Sequence, residues 1–241
     1  MQIIRGDDYQ SWLYSNGSDL IAVDPWLTES QIFPKFPWLL YRKATKQSYL
    51  VKQNLIPKVT HLIITAHFSD HLDKESLQMF DLNIPIFTTK EASKYLNAIG
   101  FKNITNVKPG QEFQLNSLQL KIYEAGKPYN TSTFAYLISS NGAKVFHEPH
   151  MHNSTNNLKN IDACILTLDK VKVLGLVQVS MSLSQAKYAL ADLEATYFLS
   201  TGIAPRRTKG LISFLLSITE SYNSKNELPS ICKNPGDSLV L

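Results

Sequence analysis

No stretch of this chain approaches the roughly 20 apolar residues that a membrane-crossing helix needs, although 44% of its 241 residues are apolar. The N-terminal segment Met1-Gln2-Ile3-Ile4-Arg5-Gly6-Asp7-Asp8 carries two acids where a secretory leader would need an apolar core. Cysteine is scarce: Cys164 and Cys232 lie far apart and form no C-x-x-C pattern, so neither a disulfide framework nor a thiolate zinc site is indicated. Cys164, in Ala163-Cys164-Ile165-Leu166, reads as a buried thiol. Linkers rich in Gly, Ser or Pro are missing, and so are blocks of like charge. We therefore expect one domain spanning residues 1–241, in a soluble, cytoplasmic protein. The net charge is only +4 and its basic residues are scattered, which argues against a nucleic-acid footprint.

The hydropathy pattern describes a mixed α/β chain. Gln10 to Tyr14 and Leu20 to Val23, joined through Asn16-Gly17, form an expected hairpin, because Asn-Gly supplies the positive φ angles of a tight turn. Residues 28–49, rich in aromatics, read as an irregular cover or a short helix. Thr60 to Thr65 is an apolar strand running into a polar loop. Helical spacing follows from Leu72 to Phe80, then a strand from Ile84 to Thr88 and a helix from Lys90 to Ile99 stopped by Gly100. Further strands are expected at Phe113–Leu115, Leu118–Tyr123, Phe134–Ser139, Lys144–Phe146, Ala163–Leu168 and Thr196–Ser200. Helices are expected at Ser184–Leu193 and Gly210–Tyr222. Both halves run from a β-rich segment through strand, loop, helix and strand, which suggests two sheets packed together with helices outside.

What is present, and concentrated, is histidine. All six fall in two windows: His61, His67 and His71, then His147, His150 and His152. Each window touches an apolar strand and contains carboxylates, Asp70 and Asp73 in the first and Glu148 in the second. Loops at strand ends gather at one edge of a sheet, and mixed imidazole and carboxylate donors suit zinc, iron or manganese. The bland readings are a helix cap for Asp70, a hydrogen-bonded loop histidine for His71, a cleft-mouth histidine for His150 and a solvated carboxylate for Glu148. His61 reads as structural, and His147 and His152 read as exposed.

The segment Val59 to Asp73, with Thr65-Ala66-His67-Phe68-Ser69-Asp70-His71, resembles the metal loop T-H-x-H-x-D-H of the metallo-β-lactamase superfamily. Ile21-Ala22-Val23-Asp24-Pro25-Trp26-Leu27 resembles the opening of its ascorbate-phosphate-lactonase-like branch. Trp38 to Arg42, Phe146-His147-Glu148-Pro149-His150 and Lys209-Gly210-Leu211 resemble a cyanobacterial and plant group with an altered histidine motif. The resemblance implies a four-layer αββα sandwich with two mixed β-sheets. It also implies that Asp70 and His71 descend from one metal site, with Asp24 holding the loop.

Departures are as informative. Ala66 and Phe68 stand where two first-site histidines belong, and Glu124 to Pro128 and Ser200 to Gly202 lack two more. The resemblance then implies at most one divalent metal, zinc foremost, held by Asp70, His71, His150, Glu148 and His67, or none. Asp70 and Glu148 would handle protons. Two functions follow: a metal-dependent hydrolase of a small ester, lactone or phosphodiester, or a metal-free relative kept for binding or scaffolding. A nuclease acting on RNA, known in the superfamily, lacks the basic stripe it would need.

Overall fold

The computed structural model describes every residue except 34, 35, 37, 222–227 and 229. Its two large sheets share a plan, antiparallel strands at one side and parallel strands at the other. The first has seven strands in the order 238–240, 2–5, 12–16, 19–23, 61–64, 86–88 and 104–106. Pairing is antiparallel as far as Asp19–Val23 and parallel beyond it. The second has six strands in the order 197–200, 163–166, 143–148, 134–140, 118–124 and 112–115, with its three parallel strands at one side.

Alternation along the strands decides the layering. Ile3, Trp12, Tyr14, Ile21, Val23 and Ile63 point inward, where they meet Leu120, Ile122, Tyr136, Ile138, Val145 and Ile165 of the second sheet. Their neighbours Ile4, Leu13, Ala22, Leu62 and Ile64 point outward onto Leu77 and onto Ala92 and Leu96 of the helix Lys90–Ala98. On the far side, Leu137, Phe146, Cys164 and Leu166 pack on Ala186, Ala189 and Leu193. These last belong to or adjoin the helix Leu183–Asp192, opened by a capping box of Ser182 and Gln185. The order is helix, sheet, sheet, helix: the expected four-layer sandwich.

The expected helix at 210–222 is absent. Leu211–Leu215 is a 3₁₀ turn and Leu216–Thr219 is a strand, paired with Lys170–Val173, while Tyr222 lies outside the described residues. Leu211, Phe214 and Leu215 have helical spacing, yet all three are exposed, so no buried stripe holds a helix together. Likewise only Lys74–Leu77 is α-helical within 72–80. Its cap is Asp73, which accepts from Ser76 N, and not Asp70. Residues 28–49 contain the hairpin Ser30–Phe33/Leu40–Lys43 in place of an irregular cover.

A polar clasp joins the sheets at the edge where the strands 19–23 and 118–124 begin. The Asp19 carboxylate accepts from Asn116 Nδ2 (2.8 Å), Ser117 N (2.7 Å) and Ser117 Oγ (2.5 Å). Asn16 Nδ2 donates to Ser140 Oγ at 2.8 Å beside it.

Candidate functional site

At the opposite edge the strands 19–23, 61–64, 143–148 and 197–200 end together, and their loops surround a cleft of about 220 Å³. Asp24, directly after its strand, is buried at a φ of +43°. Its carboxylate accepts from Thr65 N (2.8 Å), Thr65 Oγ1 (2.5 Å) and His71 Nδ1 (2.7 Å). With Nδ1 so occupied, His71 turns Nε2 toward Asp70, whose Oδ2 is 3.7 Å away. Tyr9 Oη donates to that same Oδ2 at 3.5 Å. The row Asp24–His71–Asp70 is therefore anchored deep in the first sheet and opens at Asp70, the more exposed of the two acids.

Burial alone would depress the His71 pKa, but Asp70 and Asp24 foremost outweigh it and raise it to about 9. At neutral pH His71 is an imidazolium between carboxylates.

The second window supplies the facing wall. Glu148 closes its strand fully buried; Oε1 accepts from His150 N at 3.0 Å and Oε2 has no partner. Burial pushes its carboxyl up to about 8, against the backbone N–H groups of His150, Met151 and Gly126 and the charge of His71. It is an uncharged acid at neutral pH. His150 lies over His71, with ring centroids 4.8 Å apart, and stacks on Tyr129 at 4.3 Å. Burial and the charge of His71 keep it neutral, and its Nδ1 has no partner. Phe68 packs edge-on to Tyr129, His71 and His150. Phe68 thus fills the space beside His71 and His150 with an aromatic ring.

Of the five residues expected to hold a metal, Asp70, His71 and His150 line the cleft, whereas Glu148 and His67 do not. The His67 ring packs on Phe68 at 4.5 Å and leaves Nδ1 without a partner. His147 and His152, expected to be exposed, are not. His147 is buried between the sheets, where its Nδ1 meets Tyr136 Oη at 2.6 Å and burial lowers its pKa to about 3. His152 Nε2 bonds Asp192 Oδ2 at 2.7 Å. His61 begins its strand beside Thr60 and Asp19, the structural role expected of it.

Three residues of the site escaped the sequence reading. Arg42 is buried, donates to Ile203 O (3.0 Å) and Ala204 O (2.8 Å), and spreads its guanidinium over the Tyr9 ring at 4.0 Å. Tyr129 stacks on His150 from a loop with no motif. Only Arg42 carried a signal, as a cation set among aromatics in Trp38 to Arg42.

Asp70 and His71 stand close enough to share an ion, but a catalytic zinc takes about three protein ligands. Among the described residues no group of three or more His, Cys, Asp and Glu side chains could hold a metal. The donors present do not fit a complete metal centre.

Glu148→Gln tests the buried acid. Its folded pKa of about 8 exceeds the ordinary 4.5, so its stabilising contribution is whole below pH 4.5 and is lost as pH rises through 8. Glutamine has no such loss. The variant should therefore gain about 1–3 kcal/mol on the parent at pH 8 and nothing at pH 4, read from urea unfolding. A difference that ignores pH would contradict the assignment.

Comparison with known proteins agrees with this architecture. No curated protein matches the chain by sequence. An isothiocyanate hydrolase from Delia radicum gut bacteria superposes with a TM-score of 0.68 at 12% identity, over 100% of this chain and 99% of that one. A possible metal-dependent hydrolase from Veillonella parvula gives 0.65 at 13%, over 84% and 85%. A diiron beta-hydroxylase from Streptomyces venezuelae gives 0.64 at 13%, over 93% of this chain and 48% of that one. At such identities the likeness is one of fold. The family model described as a beta-lactamase superfamily domain matches residues 7–200, and with these sheets and this loop the chain belongs to the metallo-β-lactamase superfamily.

Proposed function

We propose that this chain binds a small organic molecule in the cleft above Asp70 and His71, and that it does so without the superfamily's metal pair. The observation that carries this reading is the site's packing: Phe68 and Tyr129 lie against His150, and among the described residues no three His, Cys, Asp or Glu side chains are grouped as a metal would need. The cleft lining combines the apolar Leu40, Val171, Val179 and Leu216 with the polar group Tyr9, Arg42, Asp70 and His71, whose side chains touch one another. A ligand with an apolar body and a polar head suits that division. We read residues 1–241 as one domain for this purpose, and we keep the resemblance to the ascorbate-phosphate-lactonase-like branch as a guide to ligand choice.

A specific observation also favours a second reading, a hydrolase of an ester, lactone or phosphodiester with one metal. Asp70 Oδ2 and His71 Nε2 are 3.7 Å apart, and Asp24 orients the imidazole from behind, as acids do behind metal-bound histidines. The partnerless His150 Nδ1 and Glu148 Oε2 lie in the same region. Metal-dependent hydrolases among its structural relatives support this reading as well.

One experiment separates the two. Purified protein would be assayed for zinc, iron and manganese, then melted with chelator, with each metal, and with a panel of small carboxylates and lactones. The first reading expects no stoichiometric metal, no response to chelator, and a rise of roughly 5–10 °C from a ligand present at 100 times its Kd. Stoichiometric metal that disappears in both Asp70→Ala and His71→Ala would replace it with the second.

A further inference from the structure

Exposed large apolar side chains occur singly, as at Met79, Tyr95 and Val240, but several gather where three segments meet. Phe36, Trp38, Leu174, Leu176, Leu211 and Phe214 are all exposed, Phe214 by 84% and Leu176 by 82%. They come from three segments that the backbone stitches together. Leu211 N donates to Trp38 O (3.0 Å), Leu174 N donates to Leu215 O (2.8 Å), and Tyr41 bridges Lys209. The strand 170–173 pairs with 216–219, and the rings of Phe36 and Trp38 lie 5.8 Å apart. A contiguous patch of this kind on a folded chain marks an interaction site.

Charge selects the partner. Besides the buried Arg42, the segments 38–43, 170–177 and 205–220 carry Lys43, Lys170, Lys172, Arg206, Arg207 and Lys209 against the single acid Glu220. Arg207 pairs with Asp8 at 3.0 Å and Arg206 lies 4.0 Å from Glu220. Among the described residues no ion pair engages Lys43, Lys170, Lys172 or Lys209. Apolar and aromatic side chains within a basic rim match an anionic bilayer, where Trp and Phe enter the headgroup boundary and Lys and Arg meet phosphates. A second copy of this chain would set the same basic rim against itself.

We propose that this ridge, built by Phe36, Trp38 and the strand Leu40–Lys43 together with the 174–177 turn and the 211–215 turn, docks the protein onto the surface of an anionic phospholipid membrane. The docking does not depend on what the cleft binds. Leu40, Thr208 and Leu216 of these segments also line the cleft, so a docked molecule holds that wall beside the lipid.

The test uses the whole chain with phosphatidylcholine vesicles that contain or lack phosphatidylglycerol. The protein should sediment with the anionic vesicles and not with the neutral ones, less so as salt rises. Of the three tryptophans Trp12 and Trp26 are buried, so a blue shift of emission on binding reports Trp38. Both Trp38→Ser/Phe214→Ser and Arg206→Glu/Lys209→Glu should weaken binding roughly tenfold or more. Their melting temperatures should stay near the parent's, because these side chains are exposed. Failure of the parent to sediment with anionic vesicles, or undiminished binding by both variants, overturns the proposal. So does a dimer in light scattering that Trp38→Ser/Phe214→Ser converts to monomer, since the ridge would then be covered by a second copy.

Discussion

Gly126→Ala is expected to cost about 3 kcal/mol or more, enough to threaten folding in a protein of ordinary stability. A Cβ on Gly126 would lie 2.2 Å from Met151 O and 2.7 Å from both Met151 C and His152 O. These are backbone atoms that cannot swing aside as a side-chain end would. Gly126 N already donates to Met151 O at 2.8 Å, so the close approach is a built contact. It holds the end of the strand 118–124 against the loop carrying His150, whose own backbone N–H bonds Glu148. Urea unfolding of parent and variant measures the cost. A loss below about 1 kcal/mol would mean that the loop yields, and that Glu148 does not depend on it.

The second large effect belongs to Asp24→Ala. The substitution removes the acceptor for Thr65 N, Thr65 Oγ1 and His71 Nδ1 at once and strands a buried imidazolium. Breaking a buried pair from one side costs about 3–5 kcal/mol. Alanine would also inherit the φ of +43°, a region that aspartate tolerates better. The pH dependence carries a signature. His71 has a folded pKa of about 9 against 6.5, so its stabilisation is complete below pH 6.5 and is lost as pH rises through 9. Unfolding free energies between those limits should fall in the parent and fall much less in Asp24→Ala. Asp24→Asn, which keeps an acceptor for Thr65 N, should lose less stability while showing the same flattened profile. A parent whose stability rises across that interval would contradict the charge assigned to His71.

These two residues differ in how visible they were. Asp24 could be placed from its sequence, because an acid directly after an apolar strand, with Thr65 and His71 after another, names its partners through the family resemblance. Gly126 could not, since its constraint is a neighbour 25 positions away and no local pattern marks it. The same division holds through the fold. Strands with period two and capped helices were readable, as Trp12–Asn16, Leu118–Glu124 and Leu183–Asp192 illustrate. The strand Gln2–Arg5 was not: it is four residues long and lies between Trp12–Asn16 and Ser238–Val240, the latter from the far end of the chain. Leu211, Phe214 and Leu215 mimicked an amphipathic helix because spacing records which side chains share a face, not whether anything covers it. In the site, histidine clustering marked the right edge of the sheets. Both rings are buried, and their opposite charge states follow from the acids beside His71 and the imidazolium beside His150, neighbours that no local pattern reveals.

The Asp19 clasp has a mechanical meaning. It pins the two sheets where the strands 19–23 and 118–124 begin, whereas the site lies where they finish. At the site edge the sheets are tied as well, by Thr133 Oγ1 donating to Thr65 O at 2.8 Å and by the bridge between Ala66 and Thr133. Clasped at both margins, the sandwich is built to hold Asp70 and His71 on one cover at a set distance from Glu148 and His150 on the other.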